Sequence, residues 1–138
     1  SVLGGITVTA AEEAGTMVFT DAETTSWQSR DVILVGGSCI NSATATALGV
    51  AYPTCEAAFT TATGIGSGQY LIQSIAGSTG GVVNSGKIAL VVAGYNKADT
   101  AAAASRLANL PSTISTTVGS KYLGIVGVEG ASTISKIA

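Results

Sequence analysis

Two apolar runs that each stop on glycine constrain this chain more than any other feature. The first is Val32-Ile33-Leu34-Val35, followed at once by Gly36 and Gly37. A run with no polar alternation suits a strand covered on both faces of a mostly parallel sheet. The glycines stop the strand, Ser38 or Asn41 can cap a helix behind it, and Gly49 suits the C-terminal end of that helix. The second run, Lys87 to Gly94, repeats the arrangement, with Asn96 as N-cap candidate, Asp99 three residues on, Ala101 to Leu107 as helix body and Pro111 beyond it. A strand-glycine-helix unit that occurs twice, joined by right-handed crossovers, predicts an α/β fold with a mainly parallel central sheet flanked by helices. The helices fall near residues 40–48, 68–76 and 97–109; the middle one rests on Leu71, Ile72 and Ile75 at helical spacing, with Gly77 to end it.

The other segments have strand or loop character. Ile6-Thr7-Val8-Thr9 alternates in the way of a strand, and Thr16 to Thr20, Ile114 to Val118 and Tyr122 to Val128 read the same way. The Ser/Thr/Ile tail from Ala131 to Ala138 can form a further strand, and Val82 and Val83 can pair briefly between two glycine turns. Asp21 to Arg30 is a polar connection whose Trp27 reads as a lid over the edge of the core. At 138 residues the whole chain, 1–138, is one domain by length. Both ends are strand-like, and free strand ends can add to the sheet edge of a neighbour.

Charge sets limits on partners. Only 10% of residues are charged, against about a quarter in an ordinary soluble domain, yet apolar residues are too many for disorder. Such a surface reads either as one covered between subunits or as one rich in hydroxyls. With a net charge of −2 and six scattered basic residues there is no stripe for a phosphate backbone, so nucleic acid is not an expected partner. No apolar stretch approaches the roughly 20 residues that span a bilayer. The start, Ser1-Val2-Leu3-Gly4, lacks an initiator Met and reads as the product of signal-peptide removal or of cloning.

The chemistry that remains is sparse. Without histidine there is no imidazole base, no Ser-His-Asp arrangement and no histidine-bound metal, and no pair of carboxylates stands out as acid and base, so the chain reads as a non-enzyme with no cofactor. Cys39 follows a strand at a helix start, where a thiolate is favoured, but no arginine lies near it to hold a phosphate. Cys39 and Cys55 are separated by enough chain for a helix and a return loop, so a disulfide is geometrically reasonable; two free buried thiols are the other reading. A disulfide would imply an oxidising, extracytoplasmic setting. Asp21, Glu23 and Asp31 surround one loop, but their spacing matches no calcium loop and no metal site is assigned. Gly36-Gly37 lacks the Gly-Lys-Ser/Thr ending of a phosphate loop, and Gly64-Ile65-Gly66-Ser67-Gly68 lacks dinucleotide spacing; Gly36, Gly37, Gly94 and Tyr95 remain as a weak ligand-binding candidate.

One ordered set of residues resembles a known family. Leu34-Val35-Gly36-Gly37-Ser38-Cys39-Ile40-Asn41-Ser42, then Leu48-Gly49, Tyr52-Pro53-Thr54-Cys55, then Ala89 to Tyr95 with Asp99-Thr100 and Ala103, is similar to archaeal surface-layer (S-layer) proteins over about residues 16 to 110. The resemblance implies a secreted structural subunit at the cell surface with no catalytic residues to carry over. The expectation is therefore an extracellular homopolymer, a filament or a surface layer, in which Ile6, Val8, Ile134 and Ile137 give the chain ends alternating apolar contact faces. The alternative is a monomeric extracellular module that binds cell-wall glycan or a small anion at Gly36, Gly37, Gly94 and Tyr95.

Overall fold

The structure, a computed structural model, describes residues 2–3, 19–109, 114–126 and 132–138. In chain order its elements are β1 (Val2–Leu3), β2 (Phe19–Thr20), α1 (Thr24–Trp27), β3 (Val32–Val35), α2 (Ser42–Leu48) and α3 (Glu56–Thr63). They are followed by β4 (Gln69–Ala76), β5 (Ile88–Gly94), α4 (Lys97–Asn109), β6 (Lys121–Val126) and β7 (Ser132–Lys136). The described strands form one sheet in the order β2-β1-β3-β5-β4-β6-β7.

That sheet corrects the expected fold. It is mixed, and of its five strands with four residues or more only β3 and β5 pair in parallel; β5-β4, β4-β6 and β6-β7 are antiparallel. A mainly parallel sheet flanked by helices is therefore not what this sequence builds. The reason lies in residues 68–76, read as a crossover helix and found as strand β4. Leu71 and Ile75 join one core while Tyr70 and Ile72 join the other, so the apolar triplet 70–72 serves both faces of a strand. Short buried runs of this kind satisfy helical and strand spacing equally. The link from β4 to β5 is then a tight return: the Gly77 N–H donates to the Lys87 carbonyl at 2.7 Å, and a Cβ on Gly77 would lie 2.0 Å from the Asn84 carbonyl oxygen. A direct return reverses the chain, so the pair is antiparallel.

Other expectations are also corrected. Ile114 to Val118 forms no strand; its neighbourhood is fastened to β4 instead, with the Ser74 N–H donating to the Ser120 carbonyl and the Ser74 hydroxyl to the Thr116 carbonyl. Val82 and Val83 form no strand either and are buried in the core. Trp27 is no lid: it is 1% exposed, and its indole N–H donates to the Thr20 carbonyl at 3.1 Å. Of the expected early strand 16–20 only Phe19–Thr20 is described, Ile6 and Val8 lie outside the described residues, and the strand expected to run to Val128 is described over Lys121–Val126.

Two cores sandwich the sheet. On one face Val32, Leu34, Leu71, Ala89, Val91 and Ala93 pack with Trp27, with Ala43 of α2 and with Phe59 of α3. On the other face Tyr70, Ile72, Leu90, Val92 and Tyr122 pack under Ala103 of α4 and beside Ile114. Alternate residues of β3 and β5 thus point to opposite cores, which is why both strands read as unbroken apolar runs. Full burial of each valine, leucine or isoleucine among them contributes about 1.5–3 kcal/mol.

Candidate functional site

β3 and β5 are parallel neighbours, yet the helices that follow them go to opposite faces: α2 packs on the first core and α4 on the second. Two parallel strands whose connections part in this way leave a crevice beyond their C-terminal ends, the usual ligand position in open α/β sheets. Here the crevice is a cavity of about 500 Å³, and Gly37, Gly94 and Tyr95 line it together with Ile40, Glu56 and Lys97. Three of the four residues singled out as the weak ligand candidate are thus in one place; the fourth, Gly36, is buried just behind them, its N–H bonded to the Val92 carbonyl.

The walls are held by side chains of the two turns. Asn41 is fully buried and caps α2, its Oδ1 accepting from the Ala43 and Thr44 N–H groups while its Nδ2 donates to the Val35 carbonyl at 3.0 Å. One residue therefore fastens the helix start to the strand end. Asp21 adds a second tie, its Oδ2 accepting from the Ser42 N–H and hydroxyl, each at 2.8 Å. On the other side the Asn96 Oδ1 accepts from the Asp99 N–H, and the Thr100 hydroxyl accepts from the Gly94 N–H. A Cβ on Gly94 would stand 2.2 Å from the Thr100 nitrogen, so glycine is required there for the helix to start so close to the strand.

A clamp closes one flank of the crevice. Cys39 and Cys55 form a disulfide with their Cα atoms 4.7 Å apart, which decides between the two readings of the cysteines. Beside it the Ser38 hydroxyl donates to the Thr54 carbonyl at 2.8 Å while the Thr54 N–H donates to the Ser38 carbonyl. Such a bond is consistent with an extracellular protein. Among the described residues no helix is long and apolar enough to cross a membrane.

Among the described residues no three metal-ligating side chains come together. The acidic residues near the first turn are dispersed to separate tasks: Asp21 holds α2, Asp31 accepts from the Ile88 N–H and Glu23 from the Thr20 hydroxyl. The start of α2 offers nothing to an anion, because its first N–H groups are already taken by Asp21 and Asn41. Glu56 and Lys97 escaped the sequence reading because each lies just beyond its motif, and Ile40, although inside the first motif, was not singled out as a lining residue; their only signal is that they closely follow the two strand ends or the second cysteine.

The second candidate surface is the β7 edge. Among the described residues no strand pairs with the outer side of β7. The Ile137 N–H donates to the Lys121 carbonyl, so by the alternation of an antiparallel ladder the N–H groups of Ile134 and Lys136 face outward. The expected contact residues divide: Ile134 is half-buried against the second core, whereas Ile137 is 51% exposed. Comparison with family models, with curated proteins and with solved structures finds no match for this chain.

Proposed function

We propose that the chain is a secreted structural subunit that joins to copies of itself through the β7 edge, forming an extracellular filament or surface layer of the kind the surface-layer resemblance implies. The observation that carries the proposal is that among the described residues no strand pairs with the outer side of β7, five residues long, and that Ile137 is exposed beside it. An edge of this length with free N–H and C=O groups is a template for another strand, and proteins that stay monomeric usually shorten or cover it. Among the described residues the opposite edge is the two-residue β2, so the described sheet has one long edge and one short one. Lys136 on the long edge is a charge that disfavours indiscriminate pairing, leaving register to be set by the partner strand. The low charge of the chain, 10% of residues, supports the same reading, since surface covered in a polymer needs little charge to stay in solution.

The test is Lys136→Pro. Proline removes an outward N–H while the inward bonds of the neighbouring positions remain, so the domain keeps its fold. Electron microscopy and sedimentation velocity on the non-reduced protein should show polymers for the natural sequence and monomers for the variant. Polymers of unchanged form from Lys136→Pro, or a natural chain that sediments only as a 13.5 kDa monomer, would overturn the proposal.

A further inference from the structure

We infer that the crevice between the β3 and β5 ends binds a neutral saccharide, a role separate from assembly and not dependent on it. Its position at the parting of two connections is where open α/β sheets place ligands, and about 500 Å³ lies within the usual range for a small-molecule site. The lining selects the class. Ile40 is 45% exposed and Tyr95 is partly buried, so both leave apolar surface open to the cavity. Around them stand one carboxylate, one amide and one ammonium, those of Glu56, Asn96 and Lys97. An apolar platform ringed by planar and charged hydrogen-bonding groups of balanced sign matches a ring with one carbon-rich face and a rim of hydroxyls.

Phosphate-bearing ligands fit poorly. The N–H groups at the start of α2 are occupied by Asp21 and Asn41, and the acidic Glu56 is among the lining residues. Glu56 also has φ +50°, a backbone region that costs a residue with a side chain about 1 kcal/mol relative to glycine. A carboxylate-bearing residue at such a position points to use of its side chain, and a saccharide hydroxyl is the partner it fits.

The test is a titration of the isotope-labelled full chain with N-acetylglucosamine and with methyl glucoside, followed through the backbone amide signals, with inorganic phosphate and adenosine as the contrasting ligands. The expected result is saturable shifts confined to Gly37, Gly94, Tyr95 and their neighbours with at least one saccharide. Glu56→Ala should weaken that binding about tenfold, the usual effect of losing a hydrogen bond to a charged group. The variant is conservative for the fold, Glu56 being exposed. Absence of saccharide binding, shifts scattered over the surface, or saturation by phosphate or adenosine instead would overturn the inference, whatever the state of assembly.

Discussion

On one side of β5 the sheet is parallel, with strands of two to four residues; on the other it is antiparallel, with strands of five to eight. The short strands cannot hold themselves by ladder bonds, and the parallel half is instead fastened at its turns, by Asn41, by Asp21, by the Ser38–Thr54 pair and by the disulfide. The antiparallel half has few such ties and rests on its ladders: β4 pairs with β5 over seven residues and with β6 over five. Long crossovers leave space between strand ends, whereas direct returns leave an open edge. The crevice and the β7 edge are therefore consequences of the two construction methods, and each candidate function sits in the half that could supply it.

If the antiparallel half depends on close ladder packing, its weakest point is Gly124, and the largest effect is expected there. A Cβ at this position would stand 2.0 Å from Cζ of Tyr70, whose ring lies flat against the glycine on the neighbouring strand. Gly124→Val must displace a fully buried ring between β4 and α4, at a cost of about 3 kcal/mol or more. Urea denaturation of the variant checks this; a loss below about 1 kcal/mol would mean that the ring moves aside freely and that ladder packing is not what secures this half.

The parallel half answers to a different change. Replacing Cys39 and Cys55 together by Ser should cost about 3 kcal/mol, the chain-entropy value for a loop of this length. Faster amide exchange should appear first around residues 36–55, with β4 and β6 protected until global unfolding. If the chain assembles through the β7 edge as proposed, the polymers should persist in this variant under mild conditions, because the clamp is not part of that edge. A loss below about 1 kcal/mol would show that the Ser38–Thr54 bonds suffice to hold the turns.

This division also explains what could be read from the residues. Val32 to Val35 and Lys87 to Gly94 announced themselves because a strand buried on both faces has no polar alternation, and Asn41, Gly49 and Asn96 because caps have local chemistry. β4 was not legible as a strand: Tyr70, Leu71 and Ile72 fit either period, and only its return through Gly77 decides the direction. Trp27 misled because its neighbours in sequence are polar, whereas its burial comes from residues distant in sequence such as Val82 and Val83. Of the crevice, the glycines and Tyr95 were visible as turn residues. That Glu56 and Lys97 face the same cavity follows from the opposite placement of α2 and α4, which no local pattern encodes.

The smallest expected effect sharpens the comparison because its sign is opposite. Tyr70 is fully buried, and among the described residues its hydroxyl has no hydrogen-bond partner. A buried polar group without a partner costs about 1–3 kcal/mol relative to its apolar counterpart. Tyr70→Phe keeps the ring against Gly124 and the second core while removing that hydroxyl, so it should stabilise the domain by about 1 kcal/mol, read as a raised urea midpoint with an unchanged slope. The parallel half offers no equivalent gain at its turns, where Asn41, Ser38 and Thr44 are buried with their bonds made. A destabilised Tyr70→Phe would mean that the hydroxyl is held after all, and that the antiparallel half, like the parallel one, is fastened by a polar tie and not by ladder packing alone.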